Sequence, residues 1–146
     1  MSDLNTKWMD RAAKYGPRPA LTVDGLIMLD GKLVLIQRGR EPFKGMWALP
    51  GGFVEYNEAL EDAVTREVEE ETGLKTRVKA LLGVYSKPGR DPRHHTVSVA
   101  YVCEKISEEL KAGDDAGNVD LFPLSNLPEL AFDHSNIVID FKKWMK

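Results

Sequence analysis

The sequence predicts a fold of the α/β (α+β) class, an α/β sandwich built around a mixed sheet. Two observations indicate this class: strand-like segments occur before and after one central helical segment, and a second helical segment ends the chain. Layered packing buries the apolar faces of both kinds of element. With 146 residues, 42% hydrophobic and 29% charged, we expect one globular domain over 1–146 rather than a disordered chain.

The first predicted element after a lead-in over 1–19 is a β-hairpin. Two runs rich in strand-forming residues, Leu21–Leu29 and Lys32–Gln37, flank the pair Asp30 and Gly31. An Asp-Gly pair between such runs is a strong signal for a tight hairpin turn, because its residues tolerate a positive φ. We therefore predict two antiparallel strands here.

The central helix is predicted over Glu58–Thr72. Asn57 precedes it as a candidate N-cap, and Gly73 stands where a glycine commonly ends a helix. The preceding residues 38–52 are loop-like, apart from the short apolar piece Trp47–Leu49. The helix thus follows a glycine-rich loop.

Three further strands and a helix complete the predicted fold. Strands are expected at Lys75–Tyr85, Thr96–Lys105 and Val119–Pro123, and a helix at Asn136–Lys146. Cys103 falls on the apolar side of its alternating strand, so we expect a small core residue.

Composition excludes several classes of protein. No apolar run approaches the length of a membrane span, and the first residues lack the apolar stretch of a secretory signal. A single cysteine cannot form an internal disulfide or a cysteine-based zinc site. The net charge of −3 argues against a nucleic-acid coat protein. We expect a cytoplasmic protein that binds neither membrane nor nucleic acid.

The central helix departs from ordinary amphipathic design. At about 100° per residue, its apolar sector contains Leu60, Ala63, Val64 and Val68. Glu67 and Glu71 fall in that same sector, Glu70 lies at its edge and Glu69 points away. Acidic residues at a helix C-terminus are unfavourable, and so are like charges four residues apart.

A bound cation would compensate for these charges. Clustered carboxylates favour Mg²⁺ or Mn²⁺, and the glycines of Pro50-Gly51-Gly52 would let a backbone carbonyl approach as a further oxygen ligand. The alternatives are a solvated acidic face and an ordinary tight turn. The helix, 58–72, carries a charge of −6 and the remaining residues +3, a division that suits a protein binding both cations and an anionic ligand.

Residues 51–74 resemble the Nudix box. Gly52 is followed, at the box spacings, by Glu58 and then by the run Arg66-Glu67-Val68-Glu69-Glu70-Glu71-Thr72-Gly73-Leu74. Every specified position of that pattern is filled. The resemblance implies a Nudix-type α/β/α sandwich over residues 20–146 and hydrolysis of a nucleoside diphosphate linked to another moiety.

The resemblance also implies roles for individual residues. Glu67, Glu70 and Glu71 would bind one to three Mg²⁺ or Mn²⁺ ions together with the Gly51 carbonyl, and Glu67 and Glu70 would act in catalysis. Glu58 and Arg66 would fix the loop against the helix and orient the ligands, leaving Glu69 exposed. The general base stays open between a box glutamate and an acid of a later loop, Asp114 or Asp115, which could also be a solvated turn.

The loop 85–95 makes the chain similar to the small prokaryotic ADP-ribose pyrophosphatase-like branch, because Pro88 follows Gly73 by fifteen residues. The same branch is suggested by Leu130-Ala131-Phe132-Asp133-His134. It implies hydrolysis of ADP-ribose to AMP and ribose 5-phosphate. The substrate-binding candidates are Arg38, Arg40, Trp47, Arg90 and Arg93.

Two alternative functions remain from the residues alone. One is a nucleoside triphosphate pyrophosphohydrolase. The other is a non-catalytic domain that senses ADP-ribose, although the intact box and a chain with no room for a DNA-binding extension argue against it. A homodimer and the roles of His94, His95 and His134 are left open.

Overall fold

The computed structural model describes residues 16–107 and 118–146. Within these ranges the chain forms a mixed sheet and two helices. The strands are β1 (Ala20–Leu29), β2 (Lys32–Gln37), β3 (Trp47–Ala48), β4 (Gly51–Phe53), β5 (Thr76–Tyr85), β6 (Thr96–Lys105) and β7 (Val119–Phe122). The helices are α1 (Leu60–Thr72) and α2 (His134–Trp144). Neither of these helices is long and apolar enough to cross a membrane.

Strand β1 organises the sheet. It runs parallel to β6, with Ala20 opposite Thr96 and Ile27 opposite Cys103. It also pairs antiparallel with β4 and, at its end, with β2. Strand β2 continues the sheet to β3 and β7, and β5 pairs antiparallel with β6. The prediction of a mixed sheet is confirmed.

The turn between β1 and β2 follows the sequence signal. Asp30 has a φ of 53° and Gly31 a φ of 75°, the pair of positive angles that a two-residue hairpin turn requires. The predicted hairpin is therefore confirmed.

The two helices cover opposite faces of the sheet. The buried cluster under α1 contains Val23, Ile27, Leu29, Val34, Ala63, Val64, Val68, Leu74, Val99, Tyr101 and Cys103. The cluster under α2 contains Leu26, Leu33, Leu35, Leu49, Ala100, Val102, Leu130, Ile137, Val138 and Phe141. Strands β1, β2 and β6 supply both clusters, because successive side chains of a strand point to opposite faces. The predicted sandwich is confirmed.

A glycine allows α1 to lie close to β1. A Cβ at Gly25 would come within 2.9 Å of Val68 Cγ2 and 3.4 Å of Val64 Cγ2. Real Cβ atoms do not approach so closely, so this position keeps the helix near the sheet.

Three local predictions differ from the structure. Asn57 is not an N-cap: it takes a φ of 66°, and α1 begins only at Leu60 after Ala59, with no side-chain cap. Glu58 instead binds the backbone N–H of Glu55 through its side chain. Residues 38–52 are predicted as mostly loop, but Gly51–Phe53 forms strand β4. Its glycines carry no strand signal, and its pairing with β1 makes it a strand. Helix α2 begins two residues earlier than predicted, at His134.

We expect Phe141→Ala to destabilise the fold by about 3–5 kcal/mol, because it empties a large volume beneath α2. Phe141 is 1% exposed, whereas Ile139 on the same helix is 50% exposed. The matched control Ile139→Ala should change the free energy of unfolding by no more than about 0.5 kcal/mol. Urea denaturation with an unchanged m-value measures both. Equal losses in the two variants would show that the α2 face is not packed as described.

Candidate active site

A cleft of about 840 Å³ lies beside strand β4. One wall is acidic and comes from α1 and the glycines of β4. The opposite wall is basic and comes from loops. The acidic wall contains Glu67, Glu70 and Glu71, and the basic wall contains Arg38, Arg40, Arg90 and Arg93.

The glycines of β4 bring the backbone against the carboxylates of α1. A Cβ at Gly52 would lie 2.6 Å from the carboxyl carbon of Glu67, and one at Gly51 would lie 2.0 Å from the Val23 carbonyl oxygen. No side chain fits at either position. The Gly51 N–H instead donates to Glu71 Oε1 at 3.4 Å. The backbone of Gly51 and Gly52 therefore lies directly against the carboxylates of Glu71 and Glu67.

The Glu71 carboxylate is held in an unfavourable electrostatic environment. Burial raises its pKa to about 8, and the charges of Glu67 and Asp24 act in the same direction, opposed by the Gly51 N–H. Like charges at close range disfavour ionisation. A cation placed among these groups would remove the penalty.

Arg66 ties the acidic wall together. Its Nε and Nη2 donate to the two oxygens of Glu58 at 2.7 and 2.9 Å, and Nη2 also reaches the Phe53 carbonyl at 3.2 Å. Its Nη1 donates to Glu67 at 2.9 Å and to Glu70 at 3.3 Å. The hydrogen bonds from Arg66 lower the pKa of Glu58 to about 2. The loop after β4 is thereby fixed to α1.

The donor set of this wall suits a hard divalent cation, because it consists of carboxylate oxygens beside a glycine-lined backbone. Within residues 16–107 and 118–146, no three acidic, histidine or cysteine side chains yet converge at metal-binding distance. Arg66 occupies oxygens of both Glu67 and Glu70. The Glu70 side chain is 55% exposed, and its Oε2 lies 3.3 Å from Arg66 Nη1.

Two arginines of the basic wall lie over the Phe132 ring, and one of them, Arg93, also lies 5.4 Å from the centre of the Phe53 ring. The Arg38 and Arg93 guanidinium carbons lie 4.8 and 5.9 Å from the centre of the Phe132 ring. Burial and the neighbouring Arg93 charge lower the pKa of Arg38. Among the described residues, no carboxylate forms a salt bridge with Arg38, whose Nε donates to the Pro42 carbonyl. Two cations held this close favour an anionic ligand.

Arg90 is engaged within the protein. It donates to both Asp133 oxygens at 2.9 and 2.6 Å and to Thr96 at 3.0 Å, and its side chain is only 6% exposed. Arg93 is paired with Asp91 at 2.8 Å. Arg40 is exposed at the edge of the cleft. Arg90 is therefore fully paired, Arg93 is paired with one aspartate, and Arg40 is exposed.

The other sequence candidates lie away from the cleft or outside the described ranges. Trp47 packs edge-on against Phe122 and does not line the cleft. His95 is exposed and contacts the Ser86 carbonyl. Asp114 and Asp115 fall outside the described residues.

Sequence reasoning did not single out Asp24. It used the other three, Phe132, Asp133 and His134, only as part of a segment similar to the ADP-ribose pyrophosphatase-like branch, without a role for any of them. All four belong to the contacts that shape the cleft. Asp24 carried a usable signal, since it is an ionisable residue within an apolar strand and is only 6% exposed. The other three precede or begin α2, and only the tertiary fold brings them to the cleft.

Comparisons with known proteins give the same picture. The NUDIX domain family matches residues 18–144. An ADP-ribose pyrophosphatase of Methanocaldococcus jannaschii is 56% identical over 126 residues, covering 86% of this chain and 75% of that protein. The NUDIX domain of Shewanella oneidensis NrtR, solved with ADP ribose, superposes with a TM-score of 0.80 at 26% identity, over 100% of both chains.

A third relative carries a metal ion. The bifunctional NMN adenylyltransferase/ADP ribose pyrophosphatase of Francisella tularensis, solved with AMP and a manganese ion, superposes with a TM-score of 0.76 at 28% identity. The match covers 99% of this chain and 47% of that one. The matched range, the sandwich fold and the carboxylates facing Gly51 and Gly52 lead to one conclusion: the chain belongs to the NUDIX family of hydrolases.

Proposed function

We propose that the protein hydrolyses ADP-ribose to AMP and ribose 5-phosphate with Mg²⁺ or Mn²⁺. The observation that carries the proposal is one cleft in which the α1 carboxylates face a pair of stacked arginines. The ADP-ribose pyrophosphatase relative and the two nucleotide complexes support the choice of substrate. The cleft volume of about 840 Å³ suits a ligand of this size.

Glu67, Glu70, Glu71 and the Gly51 carbonyl would hold the cation or cations. Divalent ions at such a site neutralise phosphate oxygens and lower the pKa of a bound water. Net reaction adds that water to phosphorus and breaks one bond of the P–O–P bridge, so that both products leave as phosphate monoesters. The proposal leaves the base open between a box glutamate and Asp114 or Asp115.

The chain's own groups orient the substrate. Arg38 and Arg93, held against Phe132, would bind phosphate oxygens, and exposed Arg40 would add a contact at the mouth of the cleft. Arg66 keeps the loop after β4 against α1, which fixes the distance between the Gly51 carbonyl and the carboxylates. Arg90 supports the basic wall through Asp133.

A product assay separates this function from its alternatives. AMP and ribose 5-phosphate from ADP-ribose support it. Inorganic pyrophosphate from a nucleoside triphosphate, with ADP-ribose untouched, would instead establish a triphosphate pyrophosphohydrolase. Tight binding of ADP-ribose without turnover at saturating Mg²⁺ and Mn²⁺ would establish a sensing domain.

We further propose a cytoplasmic location for the protein. Light scattering would decide between a monomer and a homodimer.

Glu70→Gln should lower kcat at least about 100-fold, because it removes a charged group proposed to bind the cation or activate water. Its urea midpoint should stay near that of the parent, since the side chain is largely exposed. Glu69→Gln is the matched control: this neighbour is also exposed but lies on another side of the helix. Full activity in Glu70→Gln would refute the assignment of the carboxylates.

Glu71→Gln should have opposite effects without and with a cation. Without divalent ions it should raise the urea midpoint, because a neutral amide replaces a carboxyl whose ionisation is disfavoured by burial and by the neighbouring Glu67 and Asp24. Saturating Mn²⁺ should then stabilise the parent far more than the variant; a ligand at 100 times its Kd adds about 2.7 kcal/mol. Equal stabilisation of both proteins by Mn²⁺ would contradict a role for Glu71 in cation binding.

Arg38→Ala should raise the KM for ADP-ribose about 10- to 100-fold through loss of a charged hydrogen-bond donor. Arg38→Lys should fall between the parent and Arg38→Ala, since an ammonium keeps the charge but not the flat contact with Phe132. Arg77→Ala serves as the control because Arg77 pairs with Glu104 outside the cleft. Steady-state kinetics measure all three, and an unchanged KM in Arg38→Ala would remove Arg38 from the substrate site.

A further inference from the structure

A buried pair, His134 and Asp24, lies beneath the glycine segment of the cleft and has no part in the chemistry proposed above. His134 is 5% exposed and Asp24 is 6% exposed. Burial of ionisable groups is costly unless their polar atoms are bonded. The partners of this pair therefore indicate what it does.

His134 holds the backbone immediately before the glycines. Its Nδ1 accepts a hydrogen bond from the Leu49 N–H at 3.0 Å. Because a backbone N–H can only donate, Nδ1 must carry the lone pair, which leaves the ring proton of the neutral imidazole on Nε2. That nitrogen lies 3.5 Å from Asp24 Oδ1. The carboxylate therefore selects the tautomer that can accept from Leu49.

Asp24 is fixed in turn by its own strand and by β6. Its other oxygen accepts a hydrogen bond from the Ser98 hydroxyl. The pairing of β1 with β4 places Asp24 opposite Gly51, and the Gly25 N–H donates to the Pro50 carbonyl at 2.8 Å. Asp24 is therefore linked to the glycine segment in two ways: through His134 and Leu49, and directly through its pairing opposite Gly51.

The segment that carries His134 is docked on β3. The Ala131 N–H donates to the Trp47 carbonyl at 2.8 Å, and Leu130 forms a parallel bridge with Trp47. The imidazole is therefore placed by backbone contacts on one side and by Asp24 on the other. Its freedom to move relative to β3 and β4 is small.

We propose that His134 is a positioning residue for the cation site. By accepting the Leu49 N–H, it holds the Gly51 peptide beside Glu71, with Asp24 orienting the ring. The Gly51 N–H reaches Glu71 at 3.4 Å, a long contact that by itself would hold the loop weakly. This inference rests on the proposed function, because it assigns a role in the same metal-binding site.

Two amide variants test whether position 134 needs a hydrogen-bond acceptor where Nδ1 lies, or only a polar side chain. In His134→Asn the amide oxygen can take the place of Nδ1, whereas in His134→Gln the amide reaches only the region of Nε2. We expect His134→Asn to keep the Mn²⁺ Kd of the parent. His134→Gln should raise that Kd about 10- to 100-fold, the usual effect of removing a group that orients metal ligands.

The readout is Mn²⁺ binding to the substrate-free protein, followed by the EPR signal of free Mn²⁺. Activity as a function of Mn²⁺ concentration is the second readout, and saturating Mn²⁺ should restore most of the kcat of His134→Gln. Urea denaturation without metal reports folding separately. His95→Gln is the control for the same chemical change at an exposed histidine, and it should leave the Mn²⁺ Kd unchanged.

Equal Mn²⁺ affinities in folded His134→Asn and His134→Gln would overturn the inference while leaving the proposed function intact. A parent protein that neither binds Mn²⁺ nor cleaves ADP-ribose would refute the proposed function itself. If His134→Gln does not fold, His134→Asn still decides: the inference requires it to bind Mn²⁺ like the parent, and a Kd raised tenfold or more overturns it.

Discussion

The fold is arranged around an unfavourable interaction, the packing of several carboxylates of α1 against the backbone of β4. Two local features make this packing tolerable. Gly51 and Gly52 remove the side chains that would collide with Val23 and Glu67. Arg66 supplies a positive charge to four acidic residues, from Glu55 to Glu70. Glu71 makes no salt bridge with any described residue, and burial together with the neighbouring carboxylates raises its pKa to about 8.

The opposite wall depends on three consecutive residues before and at the start of α2. Phe132 contacts Arg38 and Arg93, Asp133 binds Arg90, and His134 binds the backbone of Leu49. Phe132 and Asp133 both contact the loop between β5 and β6, Phe132 also contacts the loop after β2, and His134 contacts the segment between β3 and β4. A short segment therefore couples the position of α2 to both the basic and the acidic walls of the cleft. Movement of this helix would disturb the whole cleft at once.

Features determined by neighbours in sequence were predictable. The Asp30–Gly31 turn and the left-handed Gly73 at the end of α1 depend on local backbone preferences, and both are observed. The helical period likewise placed Glu69 on the exposed side. These interactions span a few residues, so the sequence pattern contains them.

Features determined by distant partners were not predictable. Strand β4 exists because Gly51–Phe53 pairs with β1, and its two glycines do not by themselves favour a strand. The helix α1 begins only at Leu60, while Glu58 ahead of it binds Arg66 and the Glu55 N–H through its side chain. The contact between His134 and Leu49 joins residues 85 positions apart. Such contacts follow from the completed sheet, and a single sequence does not reveal them.

The buried thiol of Cys103, which has no part in the proposed chemistry, can report when the sheet opens. It is the only cysteine of the chain, it is 3% exposed, and burial raises its pKa to about 12. On β6 it lies opposite Ile27 of β1 and Val78 of β5, so a thiol reagent can reach it only when β6 is uncovered. The rate of thiol labelling would therefore report how often the sheet opens. The single thiol, on a strand with a neighbour on each side, can therefore report transient opening of the sheet without an engineered label.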